Sequence, residues 1–185
     1  MVMQGRVEVI CGGMFAGKTE ELIRRLRRAT FAGKKVLAFK PAIDTRYSET
    51  DIASHAGVLF PSIPVKCADD ILGHVGQYEQ VDVVGIDEVQ FFDPRVCAVA
   101  ELLAGRGVRV VLAGLDLDYL GEPFGPVPRL LAVADTVTKV TAVCMKCGAD
   151  ATRSQRLTAS PEQVLVGAKD TYEARCRGCW PPHHG

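Results

Sequence analysis

Eight residues, Gly12-Gly13-Met14-Phe15-Ala16-Gly17-Lys18-Thr19, leave this chain few folds to choose from. They fit Gly-x4-Gly-Lys-[Ser/Thr], follow an apolar run at residues 7–11 and open a segment with helical periodicity at 18–32. Strand, glycine turn and helix, in that order, is the context in which the pattern has meaning. Glycines let successive backbone N–H groups turn inward around an anion, and the helix N-terminus adds partial positive charge. Lys18 then reaches the terminal phosphates, and the Thr19 hydroxyl is a Mg²⁺ ligand. A glycine-rich turn with no ligand is the plainer alternative.

A triphosphate held in this way needs an acid on a neighbouring strand. The run VVGIDEVQFF supplies it, with Asp87 after the apolar residues and Glu88 beside it. In such sites the first acid holds Mg²⁺, commonly through water, and an adjacent Glu serves as general base toward the attacking oxygen. Without the phosphate loop, the same two acids read as a helix cap and a solvated charge.

Further apolar runs at 35–40, 63–66, 81–86, 108–113 and 136–143 alternate with helix-like segments at 18–32, from 68 onward, at 94–104 and at 129–134. Residues 42–57 show no clear period and read as a loop near the site. Continuous apolar strands separated by helices imply an α/β domain whose mostly parallel sheet is covered on both faces, with ligands at the carboxyl ends of the strands. Lys plus Arg equals Asp plus Glu at 22 each, so no global field recruits nucleic acid or an anionic membrane. The N-terminal residues lack a basic region followed by a long apolar stretch, and no apolar run reaches spanning length, so the expectation is a cytoplasmic protein with no membrane partner.

Seven cysteines, an odd number, point in that setting to metal binding plus spare thiols. Cys144-Met-Lys-Cys147 and Cys176-Arg-Gly-Cys179 form two Cys-x2-Cys knuckles, the pattern of a tetrahedral structural zinc site. Paired disulfides are the alternative, as is His183 or His184 in place of one cysteine, and iron competes with zinc for four thiolates. The texture changes at Cys144, which divides a nucleotide-binding domain, 1–143, from a small zinc-binding domain, 144–185. The segment between the knuckles is a loop pinned at its base. Cys11, Cys67 and Cys97 fall in predicted core elements and read as small buried hydrophobes.

Taken together, GGMFAGKT, KPAIDTRYS, IDEVQFF, GLDLDYLGEPFG, CMKCGADATRSQR and VLVGAKDTYEARCRGC, in that order, resemble the cytosolic, zinc-containing (type II) thymidine kinases over nearly the whole length. The resemblance implies a RecA-like phosphate-loop domain plus a zinc domain carrying a lasso loop, commonly as a homotetramer. It implies transfer of the ATP γ-phosphate to the 5′-hydroxyl of thymidine and deoxyuridine, in nucleoside salvage for DNA synthesis, with thymidine triphosphate as feedback inhibitor. Glu88 would be the base; Asp87, Thr19 and Lys18 would handle ATP and Mg²⁺, with Asp44 and Arg46 on the phosphate side. Met14, Phe91, Leu115, Tyr119, Ser154 and Tyr172 match positions that line the base pocket or brace the lasso. Backbone groups of Val164, Leu165, Val166 and Gly167 would read the base. Gly13 stands where members often carry Pro, Ala16 where Ser is frequent and Tyr119 where Phe is common; none of these removes a ligand.

A nucleic-acid-dependent ATPase with a zinc ribbon is the competing reading, with Arg24, Arg25, Arg27 and Arg28 as a phosphate-contacting face. The zero net charge and the short chain weigh against it, and on a helix those arginines read better as a solvated or inter-subunit face.

Overall fold

The structure, a computed structural model, describes residues 5–42, 51–53, 57–158 and 171–181. In chain order its first half runs β1 (Arg6–Gly12), α1 (Lys18–Phe31), β2 (Val36–Pro41), β3 (Asp51–Ala53), β4 (Leu59–Pro61), β5 (Ile63–Val65), α2 (Ala68–Val75) and β6 (Val83–Ile86). A 3₁₀ turn at Val89–Phe91 leads into α3 (Arg95–Gly105), β7 (Arg109–Leu115), α4 (Val127–Val133) and β8 (Thr136–Lys139). The short strands β9 (Ala142–Val143), β10 (Asp150–Ala151), β11 (Arg153–Arg156) and β12 (Tyr172–Arg175) follow.

The expected parallel α/β core is present: β5-β2-β6-β7-β1-β8 lie side by side in one sheet, every pair parallel. On one face α1 presents Leu22, Ile23, Leu26 and Ala29 to Ile10, Ala38, Val83, Val111 and Ala113. That spacing is the apolar stripe of an amphipathic helix, and Glu20 and Glu21 in its first turn with Arg28 in its last complement the helix dipole. The other face is covered by α2, α3 and α4, through Ile71, Val96, Val99, Leu103 and Leu130. Burial on both faces makes the central strands apolar apart from Glu8 and the arginines, Arg6 and Arg109, that open β1 and β7.

Glu8 sits in the sheet, 4% exposed, and accepts hydrogen bonds from Arg6 (2.6 Å), Arg25 (2.8 Å) and Arg109 (2.7 and 2.9 Å). The α1 arginines are therefore not one solvated face. Arg25 turns inward to Glu8 and Thr138, Arg24 pairs with Glu21, and Arg27 donates to the Leu59 carbonyl.

Three further expectations change. The loop expected at 42–57 contains β3, which pairs antiparallel with β4; a three-residue strand is too short to show a period. The strand expected at 136–143 is two strands. β8 follows β1 as far as Lys139, and the chain then leaves the sheet so that β9 pairs with β10. Cys67 is exposed, because β5 ends at Val65 and the residue lies at the N-cap of α2, whereas Cys11 and Cys97 are buried as expected. Among the described residues no helix is long and apolar enough to cross a membrane.

Candidate active site

The phosphate loop joins the carboxyl end of β1 to the first turn of α1. Gly17, with φ 81°, ends it in the left-handed region that glycine reaches without strain, and Phe15, with φ 63°, occupies the same region against its preference. The loop is held by its own lysine, whose Nζ donates to the Gly13 carbonyl at 2.7 Å. A second tie comes from far along the chain: the Met14 N–H donates to Ser154 Oγ on β11 at 3.0 Å, and both residues are buried.

β6 ends one strand away from β1, with β7 between them, and its carboxyl end delivers Asp87 and Glu88 to the same edge. Thr19 Oγ1 donates to the Asp87 carboxylate at 3.1 Å, which joins the helix start to the acid. Burial, reinforced by the charge of Glu88, raises the Asp87 carboxyl to about 7, and the Thr19 hydrogen bond and the Lys18 charge only partly oppose this. A hydroxyl and a carboxylate side by side are the hard oxygen donors that Mg²⁺ prefers, so these two residues fit that ion. Glu88 adopts φ 49°, ψ 43°, a left-handed turn that directs the chain into the 3₁₀ segment.

The aromatics expected to line a pocket fall into two separate contacts. Phe91 packs edge-on against Phe124, ring centres 5.8 Å apart. Arg156 lies over the Tyr119 ring at 3.6 Å and donates to the Tyr172 hydroxyl at 2.7 Å, linking the loop after β7 to β12. Leu115 closes the end of β7, and its N–H donates to Gln90 Oε1 at 3.1 Å. Asp44, Arg46, Val164, Leu165, Val166, Gly167, His183 and His184 lie outside the described residues.

Cys144, Cys147, Cys176 and Cys179 place their sulfurs within 4.8 Å of one another, with Cys147 and Cys176 at 3.6 Å. Tetrahedral thiolates around zinc stand about 3.8 Å apart at the usual bond length, so the cluster fits the ion; none of the seven cysteines is in a disulfide. Backbone N–H groups of Cys176, Lys146 and Cys147 bring the Cys144 thiol down to about 6, while hydrogen bonds from Cys147 and Cys176 hold Cys179 up at about 12, so the four thiols do not shift as one. Cys144 also packs with Ala142, Ala151 and Ala174, and Phe15 and Ala16 of the phosphate loop rest against that group.

Gln90 and Arg156 tie these groups together, and neither is singled out by the sequence reading. Both stand inside motifs singled out there, IDEVQFF and ATRSQR, but only the sheet order shows what each one touches.

Comparison with known proteins gives a consistent result. The sequence profile of a family described as thymidine kinase matches residues 5–180. A thymidine kinase of Bacteroides thetaiotaomicron is 52% identical over 177 residues, covering 96% of this chain and 87% of that protein. Two solved structures are more distant. The crystal structure of a DNA replication initiation factor is 18% identical with a TM-score of 0.44, over 74% of this chain and 40% of that one. The X-ray structure of the Legionella pneumophila ATPase DotB is 20% identical with a TM-score of 0.45, over 72% and 36%. The chain spans well under half the length of either.

Proposed function

Because the chain belongs to the thymidine kinase family, we propose that it transfers the γ-phosphate of ATP to the 5′-hydroxyl of thymidine, and of deoxyuridine, in deoxynucleoside salvage for DNA synthesis. The observation that carries this reading is the Thr19–Asp87 contact, which brings the phosphate loop and the acids of β6 to one place with Glu88 adjacent. Residues 1–143 form the nucleotide-binding domain and 144–185 the zinc-binding one. The enzyme works in the cytoplasm as a homotetramer restrained by thymidine triphosphate.

The loop from Gly12 to Thr19 cradles the triphosphate through its backbone N–H groups, with Asp44 and Arg46 on the same side. Lys18 leaves the Gly13 carbonyl for the terminal phosphates, where its charge offsets that of the transferring group. Thr19 and Asp87 hold Mg²⁺, whose chemistry here is to draw charge from the phosphate oxygens. Glu88 removes the proton of the 5′-hydroxyl as that oxygen bonds to the γ-phosphorus; the bond to the β,γ-bridging oxygen breaks and ADP departs. Met14, Phe91, Leu115, Tyr119, Ser154 and Tyr172 wall the nucleoside, and backbone groups of Val164, Leu165, Val166 and Gly167 read its base. Closure over the correct acceptor excludes water and so prevents idle hydrolysis of ATP.

The test is ATP turnover by the purified chain with Mg²⁺ and, separately, thymidine, deoxycytidine, single-stranded DNA or no acceptor. Thymidine monophosphate in the first reaction, with little turnover in the others, is the expected result. Turnover stimulated by DNA instead refutes the kinase reading.

A further inference from the structure

We infer that Gln90 is a positioning residue for the transfer: it joins the carboxylate of Glu88 to the main chain of β7 through one buried amide. The inference rests on the reading of Glu88 as base. Gln90 is 3% exposed and lies two residues past Glu88, in the 3₁₀ turn. Its two ends have unambiguous partners. The Leu115 N–H can only donate, so the amide oxygen faces β7; Nε2 then faces the other way and donates to Glu88 Oε2 at 2.5 Å. A reversed amide would set donor against donor and oxygen against carboxylate.

The surroundings are shaped to this side chain. A Cβ on Gly114 would lie 2.7 Å from Gln90 Oε1, and one on Gly125, whose φ is +51°, would lie 2.4 Å from the Gln90 carbonyl oxygen. Only the first bears on the side chain: the amide and Val89 both lie against β7 where Gly114 carries no Cβ, whereas the Gly125 approach is to the main chain and is the same for any residue at 90. Glu88 leaves a strained left-handed backbone with three side-chain torsions still to fix, and the amide removes that freedom on one carboxylate oxygen. The other end of the same amide is fixed at Leu115, on the proposed nucleoside wall. Base and acceptor pocket therefore share one rigid connection.

The experiment is a double-mutant cycle on the full chain: wild type, Gln90→Met, Glu88→Gln and the double variant, followed by steady-state kinetics and thermal melting. In Gln90→Met, kcat falls by about tenfold to a hundredfold, the loss expected for a misplaced catalytic group, while KM for ATP and for thymidine moves by less than about threefold. In the Glu88→Gln background the same change costs less than about twofold, because the group it positions is gone. An unchanged kcat in Gln90→Met, or an equal loss in both backgrounds, overturns the inference. A wild-type rate in Glu88→Gln overturns instead the assignment of Glu88 as base. If Gln90→Met does not fold, Gln90→Leu takes its place in both backgrounds: it also lacks the donor to Glu88, so the same fall in kcat is expected and a wild-type rate refutes it.

Discussion

Replacing Glu8 by Gln tests whether the sheet tolerates its buried carboxylate only because arginines surround it. Burial alone would raise this carboxyl, but the hydrogen bonds and charges of Arg109 and Arg6 outweigh it and bring the group from its ordinary 4.5 down to about 2. The folded group is thus more acidic than the unfolded one. Between the two values the unfolded chain binds more protons, and acid favours unfolding. A shift of this size, at about 1.4 kcal/mol per pH unit, corresponds to ~3 kcal/mol of stability. That contribution is complete above 4.5 and is lost as the pH falls toward 2. It is a large share of the roughly 5–15 kcal/mol that holds a domain together. In the variant Arg25 and Arg109, 13% and 22% exposed, face each other without the carboxylate. The assay is urea unfolding of wild type and Glu8→Gln at a series of pH values, taking the difference between the two so that carboxylates common to both cancel. Near neutral pH the variant is less stable by ~3 kcal/mol, a midpoint shift of about 1–2 M urea. The gap closes as the pH drops from 4.5 toward 2. A gap that stays constant with pH, or widens in acid, refutes the reasoning.

Three further outcomes are expected. Ser154→Ala leaves the buried Met14 N–H without its acceptor, so stability drops by ~1–2 kcal/mol and the affinity for a fluorescent ATP analogue falls; unchanged affinity would separate this hydrogen bond from the nucleotide site. Stripping metal with a chelator lowers the melting temperature and weakens ATP binding together, since Phe15 and Ala16 pack on the cluster that contains Cys144. Added zinc restores both, and a nucleotide affinity indifferent to the metal would refute the link. Arg156→Met removes the contact with Tyr119 and the hydrogen bond to Tyr172, raising KM for thymidine about tenfold with KM for ATP little changed. Arg156→Lys does not rescue it, because an ammonium cannot spread over the ring and reach the hydroxyl as a guanidinium does.

What was legible in the sequence was the chemistry carried by neighbours in the chain. The phosphate loop, the acid pair and the cysteine knuckles each need several adjacent residues to act together, so the spacing itself is the signal. The α/β order was readable for the same reason, since buried parallel strands are continuous apolar runs. Gln90 and Arg156 were not readable as site residues. A glutamine acquires its role when β7 settles beside β6 and brings Leu115, 25 residues away, within reach of its amide. Arg156 acquires its role when β11 pairs with β12 and places it between Tyr119 and Tyr172. The division of the expected strand at 136–143 was hidden too: β-branched residues run through it, and the departure after Lys139 follows from β9 having its own partner in β10.

The phosphate loop is held at both ends before any nucleotide arrives. Lys18 is fixed on Gly13, Met14 donates to Ser154 140 residues on, and Phe15 and Ala16 rest on the cysteine-bearing hairpins. Each of these contacts lowers the conformational freedom that binding ATP would otherwise have to remove. It also follows that the metal-binding segment cannot be a stability device alone. Its side chains touch the phosphate loop, so under the proposed function whatever loosens the four sulfurs is felt at the nucleotide. Under the proposed function the acceptor side depends on the same segment through Tyr172 and Arg156. On that proposed reading, one short C-terminal segment touches both substrates of the transfer, which would restrict a phosphate-loop domain of ordinary design to a single class of acceptor.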